Sequence, residues 1–219
     1  MPELLSAADV RVLGSLIEKE QTTPEYYPLS LNALMNACNQ SSNRDPVVKY
    51  DEATVSRSIE SLRQRGLVRA TKGIDARVTK YAHRLPDVLS LGIEELVVLG
   101  VLMLRGAQTP GELRTRTARM REIDNLASME AVLDGLVLKE YATRLPRQAG
   151  HKEARYMQVL GETVAAPVVL AEETVRRVPS TGRVGEGDRI AELEEAVEEL
   201  RKECADLRSQ LEAFRAQFE

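Results

Sequence analysis

An internal repeat constrains the fold of this chain more than any other feature of its sequence. The string Val12–Gly14 recurs as Val98–Gly100, and Thr23–Pro24 recurs as Thr109–Pro110, both at an offset of 86 residues. At an offset of 74, an apolar triplet recurs as a second triplet: Val55, Ile59 and Leu62, then Met129, Leu133 and Leu136. These spacings are too long for a solenoid repeat. They predict a duplicated domain whose second copy has lost about a dozen residues between its second and third helices.

The stretch Asp51–Arg69 predicts a helix that leads directly into a strand. Asp51 suits the N-cap position, and the apolar triplet that follows recurs at helical spacing on one side of the helix. Gly66 can adopt the left-handed conformation that ends a helix, and Leu67-Val68 begins an extended segment. Helix, glycine and strand in this order are typical of the third helix and first wing strand of a winged-helix domain.

A polar face of this helix carries hydroxyl and guanidinium groups, which we place away from the apolar triplet. Its members are Thr54, Arg57, Ser58, Ser61 and Arg65. Small hydroxyl side chains with arginines can enter a DNA major groove. Alternatively, the face is only a solvated helix surface. The sequence leaves both interpretations open.

The rest of the first copy fits the same domain, which we predict to span residues 1–88. Ser6 is expected to cap a first helix that runs to about Glu20, and Ser30 to cap a short second helix. Segments 67–70 and 81–83 are candidate strands, and the chain between them would form the wing. Its cationic residues are Lys72, Arg77 and Lys80.

The second copy, predicted at residues 89–160, has a different surface. Its third helix, at about Ala127 to Glu140, carries few cations. Its second helix instead holds four arginines: Arg114, Arg116, Arg119 and Arg121. They could grip a nucleic-acid backbone, but the sequence favours an ordinary solvated surface.

A heptad pattern dominates the tail. Residues 161–188 contain a linker rich in Pro, Ser, Thr and Gly, and residues 189–219 predict a coiled-coil helix. Apolar residues there alternate spacings of 3 and 4, as a and d positions do: Ile190, Leu193, Val197, Leu200, Cys204, Leu207, Leu211, Phe214 and Phe218. Attractive pairs such as Arg189 with Glu194 favour a parallel homodimer. The alternative is a tail helix that folds back on its own chain.

The net charge of −4 is unevenly distributed along the chain. Residues 1–85 carry 12 Lys and Arg against 10 Asp and Glu, whereas residues 161–219 carry 8 against 14. The acidity therefore belongs to the tail, and the mildly basic first copy permits DNA binding without demanding it.

Several classes of chemistry have no signature in the sequence. Cys38 and Cys204 lie far apart, and neither His83 nor His151 has a partner at metal-ligand spacing. Phosphate-binding glycine motifs and nucleophile elbows are also missing. We expect no catalytic residue, no metal and no cofactor, and therefore a protein that is not an enzyme.

Targeting signals are equally missing from the sequence. The first residues do not form a signal peptide, and no apolar run reaches the roughly 18 residues needed to cross a bilayer. We expect a cytoplasmic protein without membrane contact.

Two strings in the first copy closely resemble the YceH family of uncharacterised bacterial proteins. They are Thr23–Leu34, which contains Tyr-Tyr-Pro-Leu-Ser, and Asn36–Val47, which contains Cys-Asn-Gln. The resemblance continues through Tyr50–Val68 and covers roughly residues 5–160. It implies tandem winged helices and brings no established biochemical activity.

A polar loop within these strings has two interpretations. Its amide, hydroxyl and guanidinium groups, carried by Asn36, Asn39, Gln40, Asn43 and Arg44, could bond base edges or a partner's backbone. They could equally satisfy the loop's own backbone. The sequence gives no reason to prefer one.

The fold class predicted from these patterns is mainly α with small β wings: two tandem winged-helix domains followed by a C-terminal coiled-coil helix. The leading functional hypothesis is a DNA-binding protein of the transcriptional-regulator type that binds double-stranded DNA as a homodimer. Thr54, Arg57, Ser58 and Ser61 would approach the major groove, while Arg63, Arg65, Lys72, Arg77 and Lys80 would hold phosphates. The alternative is a protein–protein interaction scaffold that does not bind DNA.

Overall fold

The computed structural model describes residues 4–71, 78–147 and 153–162. These ranges are mainly helical, with small antiparallel sheets. The helices are α1 (Ala7–Thr22), α2 (Leu31–Cys38), α3 (Glu52–Gln64), α4 (Leu85–Leu89), α5 (Ile93–Arg105), α6 (Pro110–Thr117) and α7 (Leu126–Leu138). A 3-10 turn at Pro24–Tyr26 follows α1.

Two antiparallel sheets accompany the helices. The strands are β1 (Leu29–Ser30), β2 (Val68–Thr71), β3 (Lys80–His83), β4 (Ala142–Arg144) and β5 (Tyr156–Gln158). The first sheet has the order β1-β3-β2, and the second pairs β4 with β5. In the first sheet, Leu29 of β1 pairs with Tyr81 of β3. In the second copy, the equivalent tyrosine, Tyr156 of β5, forms a single β-bridge with Gln108, so this bridge takes the place of β1. The strand pair predicted for the first copy is confirmed by β2 and β3, and a second antiparallel pair, β4 and β5, follows in the second copy.

Helix starts recur at the offsets of the sequence repeat. Ser6 is the N-cap residue of α1, and Gly92, 86 residues later, is the N-cap residue of α5. The backbone amide of each donates to the carboxylate three residues further on, Asp9 or Glu95. Asp51 caps α3 and Asn125, 74 residues later, caps α7. Each of these last two side chains accepts a hydrogen bond from a backbone amide of the first turn. The described parts of the first copy (residues 4–71 and 78–88) and of the second copy (residues 89–147 and 153–160) thus start their helices alike.

Helix ends recur in the same way. Gly66 has φ 72° and Glu140, 74 residues later, has φ 60°. The residue after each donates its amide back into the helix, Leu67 to the Leu62 carbonyl and Tyr141 to the Leu136 carbonyl, both at 2.9 Å. The predicted left-handed stop at Gly66 is confirmed, and its counterpart is formed by a glutamate.

Helices α1 and α5 pack against each other through a reciprocal pair of glycines. A Cβ at Gly100 would stand 2.8 Å from Cγ2 of Ile17, and a Cβ at Gly14 would stand 3.0 Å from Cβ of Met103. Ile17 and Met103 are themselves 86 residues apart. Gly14 and Gly100 are equivalent positions of the repeat, and so are the residues that they contact, Met103 and Ile17. The contact between α1 and α5 is therefore close and nearly symmetric.

The two ends of the described region are tied together. The Leu5 amide donates to the Leu160 carbonyl at 3.0 Å, and the Glu162 amide donates to the Leu5 carbonyl at 2.8 Å. Gly161 lies between these bonds, where a Cβ would come within 2.5 Å of the Leu5 carbonyl oxygen. The start of the first copy is thereby fixed to the end of the second.

None of the helices in the described ranges combines the length and the apolar character that a bilayer span requires.

Candidate nucleic-acid interface

Helix α3 forms as predicted, but its outward face is not the one that the sequence suggested. Val55, Ile59 and Leu62 are buried, which confirms the apolar stripe. Ser58 is only 4% exposed, so the prediction that its hydroxyl faces outward is wrong. Ser61 is half-buried and donates its hydroxyl to Oδ2 of Asp9 on α1 at 3.2 Å.

Helix geometry explains the error. At 3.6 residues per turn, Ser58 lies about 60° around the axis from Val55 and Ser61 about 120°. These serines therefore flank the apolar stripe instead of lying opposite it, and α3 packs against both α1 and α2. Arg57, about 160° from Val55, does face outward, and it is exposed.

The outward ridge of α3 is built around Arg57. Its guanidinium donates to the Thr54 hydroxyl and to the Ala53 carbonyl, both at 3.4 Å. These are long hydrogen bonds at exposed positions, so they hold the side chain weakly. Arg57 can therefore be redirected toward a ligand at little cost.

A carboxylate shares this ridge, and the polar-face prediction omitted it. Glu60 is exposed and accepts from Arg63 at 2.8 Å and from Gln64 at 3.3 Å. The side chains of Arg63 and Glu60 are 46% and 56% exposed, so solvent screens the pair and it contributes little stability. The spacing in the sequence predicts this position for Glu60, because residues three apart in a helix, such as Arg57 and Glu60, lie on the same side.

The remaining predicted phosphate contacts are distributed around the end of α3 and the first hairpin. Arg65, the C-cap residue of α3, is half-buried, and Lys80 at the start of β3 is exposed. Lys72 and Arg77 lie outside the described residues. Arg69 on β2 is a further exposed cation that the sequence reasoning missed. The available signal was its place directly after the apolar Val68 in the strand, because successive strand side chains point to opposite faces of a sheet.

The polar loop between α2 and α3 mainly satisfies its own backbone. The Asn39 amide donates to the Tyr50 carbonyl at 2.8 Å and its oxygen accepts from the Tyr50 amide at 2.8 Å, which closes the loop like a backbone pair. Arg44 is buried and donates to the Ala37 carbonyl at 2.7 Å. Of the two interpretations, the structure supports the backbone-satisfying one for these residues.

Arg44 also anchors the loop to α1 through a buried ion pair. Its guanidinium contacts both carboxylate oxygens of Glu18, at 3.1 and 2.5 Å, and both side chains are almost completely shielded from solvent. Arg119 from the second copy donates to the same carboxylate. Burial opposes the ionisation of Glu18, but the hydrogen bonds and charges of Arg44 and Arg119 outweigh it, so the pKa of Glu18 is lowered.

The arginines of the second copy and the histidines differ in their surroundings. Helix α6 ends at Thr117, so the prediction that this helix holds all four arginines is wrong for Arg119 and Arg121. Arg114 and Arg121 are both exposed, and Arg114 donates to the Asp124 carbonyl at 3.2 Å. His83 is buried, and its Nε2 lies 2.9 Å from Oε2 of Glu20. The hydrogen bond from His83 lowers the pKa of Glu20 in spite of partial burial. His83 is thus part of the packing between β3 and α1, while His151 lies outside the described residues.

The helix of the second copy that corresponds to α3 has a different chemistry. At the offset of 74, Arg57 corresponds to Ala131 and Gln64 to Leu138. Leu138 is 86% exposed, and Val137 and Leu126 are also exposed. The acidic side chains on this surface are Glu130 and Asp134. Helix α7 therefore presents an apolar and acidic surface where α3 presents a mixed, partly cationic one.

The tail residues predicted to dimerise, Ile190 to Phe218, lie outside the described residues. The linker and coiled-coil predictions therefore stay predictions.

Residues 5–151 match the family model described as "Protein of unknown function, DUF480". The chain belongs to the DUF480 family. It is 50% identical to a UPF0502 protein of Pelobacter propionicus over all of both chains. It is 46% identical to a UPF0502 protein of Solibacter usitatus over 98% of each chain. A third relative, from Vibrio parahaemolyticus, is 43% identical over 96% of this chain and 97% of its own.

Membership in DUF480 confirms the family that the YceH resemblance indicated. The structure now gives a physical role to part of the strings that carried the resemblance. The Asn39 pair with Tyr50 and the Arg44 pair with Glu18 hold the polar loop in place. In this DUF480 chain, at least these residues serve the fold.

Proposed function

We propose that this DUF480 protein binds double-stranded DNA through the first of two tandem winged-helix domains. The observation that carries the proposal is the surface of α3: Arg57 and Arg63 are exposed, and the helix leads directly into an antiparallel hairpin. In a winged helix, the third helix enters the major groove and the hairpin contacts the phosphate backbone. Arg57 and Thr54 would approach base edges, with Lys80 and Arg69 on the hairpin near phosphates.

The element order supports the winged-helix assignment for both copies. Three helices followed by a hairpin occur as α1, α2, α3, β2 and β3, and again as α5, α6, α7, β4 and β5. The added edge contacts at β1 and at Gln108 correspond as well. Duplication of one domain accounts for both sets.

A salt series of binding to a random duplex tests the DNA proposal. Affinity should fall steeply with salt, and each phosphate contact removed should lower the slope of log affinity against log salt by about 1. The test variant is Arg57→Ala/Arg63→Ala. The control is Arg121→Ala/Arg147→Ala, which removes two exposed charges from the second copy. Equal losses in both variants, or no binding by the unmodified protein at low salt, would contradict the proposal.

The second candidate is a protein–protein scaffold, which one observation specifically favours. The outward side of α7 exposes Leu126, Val137 and Leu138 beside two carboxylates, a composition suited to protein contacts more than to DNA. Absence of duplex binding at low salt, together with a partner captured by the unmodified protein and lost in Leu138→Glu, would favour the scaffold.

We also propose that the heptad residues of the tail form a parallel homodimer. Nine consecutive a and d positions give a continuous apolar stripe that an isolated helix would leave in water. Sedimentation equilibrium should give a dimer for the full chain and a monomer for Leu200→Glu/Leu207→Glu. A monomeric full chain would instead support a tail that folds back on its own chain.

A further inference from the structure

The outward face of α7 is apolar at positions where α3, the equivalent helix of the first copy, is polar. Both helices begin and end alike, and each buries its own apolar triplet. At the repeat offset of 74 residues, three exposed positions differ in polarity: Leu126 corresponds to Glu52, Val137 to Arg63 and Leu138 to Gln64. Because α3 forms with polar side chains at these positions, the fold does not require the apolar ones.

Helix geometry gathers exposed apolar side chains of α7 into one stripe. At 3.6 residues per turn, Ala127, Ala131 and Leu138 lie within about 40° of one another around the helix axis. All three are exposed, whereas Met129 and Leu133 lie on the other side of the helix and are buried. The distance between packed helices depends on the side chains at their contact, so the two alanines would let a second helix approach α7 closely.

The same face carries acidic charge. Helix α7 contains Glu130 and Asp134, both exposed, and its sequence includes no Lys or Arg. Around the helix axis, these two residues lie between Val137 and Leu138. The exposed side of α7 therefore combines apolar side chains with negative charge.

The cation that follows α7 is engaged in another contact. The ammonium group of Lys139 donates to Oε2 of Glu95 at 2.7 Å and to the Ser90 carbonyl at 3.0 Å. Glu95 lies in the first turn of α5. Lys139 thus joins the end of α7 to the start of α5.

Val159 adds an exposed apolar side chain beyond the end of α7. Its amide donates to the Tyr141 carbonyl at 3.1 Å, and Tyr141 follows Leu138 by three residues. Single exposed apolar residues are common on proteins, but a group of them bordered by charged residues marks an interaction site.

Charge decides among the occupants that this face could have. A second copy that met it through the same face would bring Glu130 and Asp134 against the same carboxylates, which is unfavourable. Residues 189–219 carry nine Asp and Glu against five Lys and Arg, so charge also disfavours the tail of this chain. A helix with Lys or Arg beside an apolar stripe would instead place opposite charges together.

We propose that the outward face of α7 binds a basic amphipathic helix of a partner protein. The apolar side of that helix would pack on Ala131 and Leu138, and its cations would pair with Glu130 and Asp134. The inference rests on the scaffold candidate described above and names its class of partner. It does not depend on DNA binding by α3.

Binding of two synthetic peptides to the full chain, measured by fluorescence anisotropy, tests the proposal. Both peptides are amphipathic helices with Leu and Ala on one side, and the other side carries Lys in the basic probe and Glu in the acidic probe. The test variant is Leu138→Gln, which gives α7 the residue type found at the equivalent position of α3. The matched control is Val47→Gln, which removes an exposed valine from the polar loop of the first copy.

The unmodified protein should bind the basic probe more tightly than the acidic one. Leu138→Gln should weaken binding of the basic probe at least about tenfold, because the leucine side chain would no longer be buried against the peptide. Val47→Gln should change it less than about threefold, as a surface substitution does. Equal losses in the two variants, or no binding of the basic probe by the unmodified protein, would overturn the proposal.

Charge reversal tests the electrostatic part. Glu130→Lys/Asp134→Lys should reverse the preference, so that the acidic probe binds more tightly than the basic one. The control Glu25→Lys/Asp87→Lys changes the net charge equally at two exposed acidic residues outside α7 and should still prefer the basic probe. Reversal in both variants would show attraction by net charge alone and would also overturn the proposal.

Two measurements without peptide test the other occupants. Leu138→Gln should leave the oligomeric state, measured by sedimentation equilibrium, and the melting temperature as they are in the unmodified protein. An oligomer that this variant dissociates would identify a second copy as the occupant. A melting temperature lowered more than in Val47→Gln would identify a contact within the chain. Either result would overturn a separate partner.

Failure of this inference is distinguishable from failure of the proposed functions. Leu138→Gln should bind a random duplex as the unmodified protein does, and Arg57→Ala/Arg63→Ala should bind the basic probe as the unmodified protein does. If Leu138→Glu loses a captured partner although the basic probe does not bind the unmodified protein, the scaffold candidate stands and the class of partner inferred here is wrong.

Discussion

The two copies begin and end their third helices in the same way but differ in the chemistry of their surfaces. Asp51 and Asn125 cap equivalent helices, and Gly66 and Glu140 end them in the same left-handed conformation. Yet Arg57 of the first copy corresponds to an alanine in the second, and Gln64 to the exposed Leu138. Caps, stops and apolar triplets preserve a fold, whereas the outward positions of the third helix are free to change.

The copies also differ in how their ion pairs are buried. Glu18 and Arg44 of the first copy are shielded from solvent, while Glu112 and Arg155 of the second are 32% and 33% exposed. Solvent weakens a partly exposed pair, but a buried charge left without its partner is strongly unfavourable. The buried Glu18–Arg44 pair should therefore matter much more for the free energy of unfolding than the partly exposed Glu112–Arg155 pair.

Removing the buried carboxylate should have the largest effect. Glu18→Gln leaves the Arg44 charge buried without a counterion and should lower the free energy of unfolding by about 3–5 kcal/mol. Glu112→Gln keeps an acceptor for the Thr109 amide and should cost less than about 1 kcal/mol. Urea unfolding of both variants measures the difference. Similar losses would show that burial does not separate the two pairs.

Acid should remove the same contribution from the unmodified protein. Because the folded-state pKa of Glu18 is lowered, its stabilisation is present above the ordinary carboxyl value of 4.5 and is lost as the pH falls through the folded pKa. The lowered pKa of Glu20 acts in the same direction. Unfolding free energy measured from pH 7 to pH 3 should fall less steeply in Glu18→Gln. Parallel curves would contradict this assignment.

The glycine contact between α1 and α5 tests whether the copies need their close approach. Gly100→Ala places a methyl group 2.8 Å from Ile17 and should cost roughly 1–2 kcal/mol, even after the gain in helix propensity. Gly111→Ala in α6 is the control, because the nearest atom to its Cβ is a Glu153 carboxylate oxygen at 3.9 Å. Thermal melting should separate the two variants. Equal stability would mean that the interface adjusts freely.

Substitutions at the two helix-ending residues with positive φ, Gly66 and Glu140, should have the smallest effect on stability. The change in unfolding free energy should have opposite signs in the two copies. Gly66→Ala forces a Cβ into that conformation and should cost about 1 kcal/mol. Glu140→Gly relieves the same strain and should gain about 0.5 kcal/mol, since glycine also makes the unfolded chain more flexible. Urea midpoints measure both changes. A loss in Glu140→Gly would show that the glutamate has a compensating contact.

The sequence alone determined the local elements and their duplication. Helix caps such as Ser6, Ser30 and Asp51, the stop at Gly66 and the apolar triplets act within a few residues of themselves. Local hydrogen bonds and helical period are therefore readable without knowing any neighbour. The family resemblance followed from strings of the same kind.

Only the tertiary structure decided which polar groups are available. Ser58 and Ser61 flank the apolar stripe, and the packing of α1 against α3 determined that one is buried and the other bonds Asp9. From the sequence, Arg44 could equally have been a ligand contact or a structural residue; its buried pair with Glu18, 26 residues away, decides for the structural role. Periodicity fixes where a side chain lies around its own helix axis, but burial and pairing depend on elements that are distant in the chain.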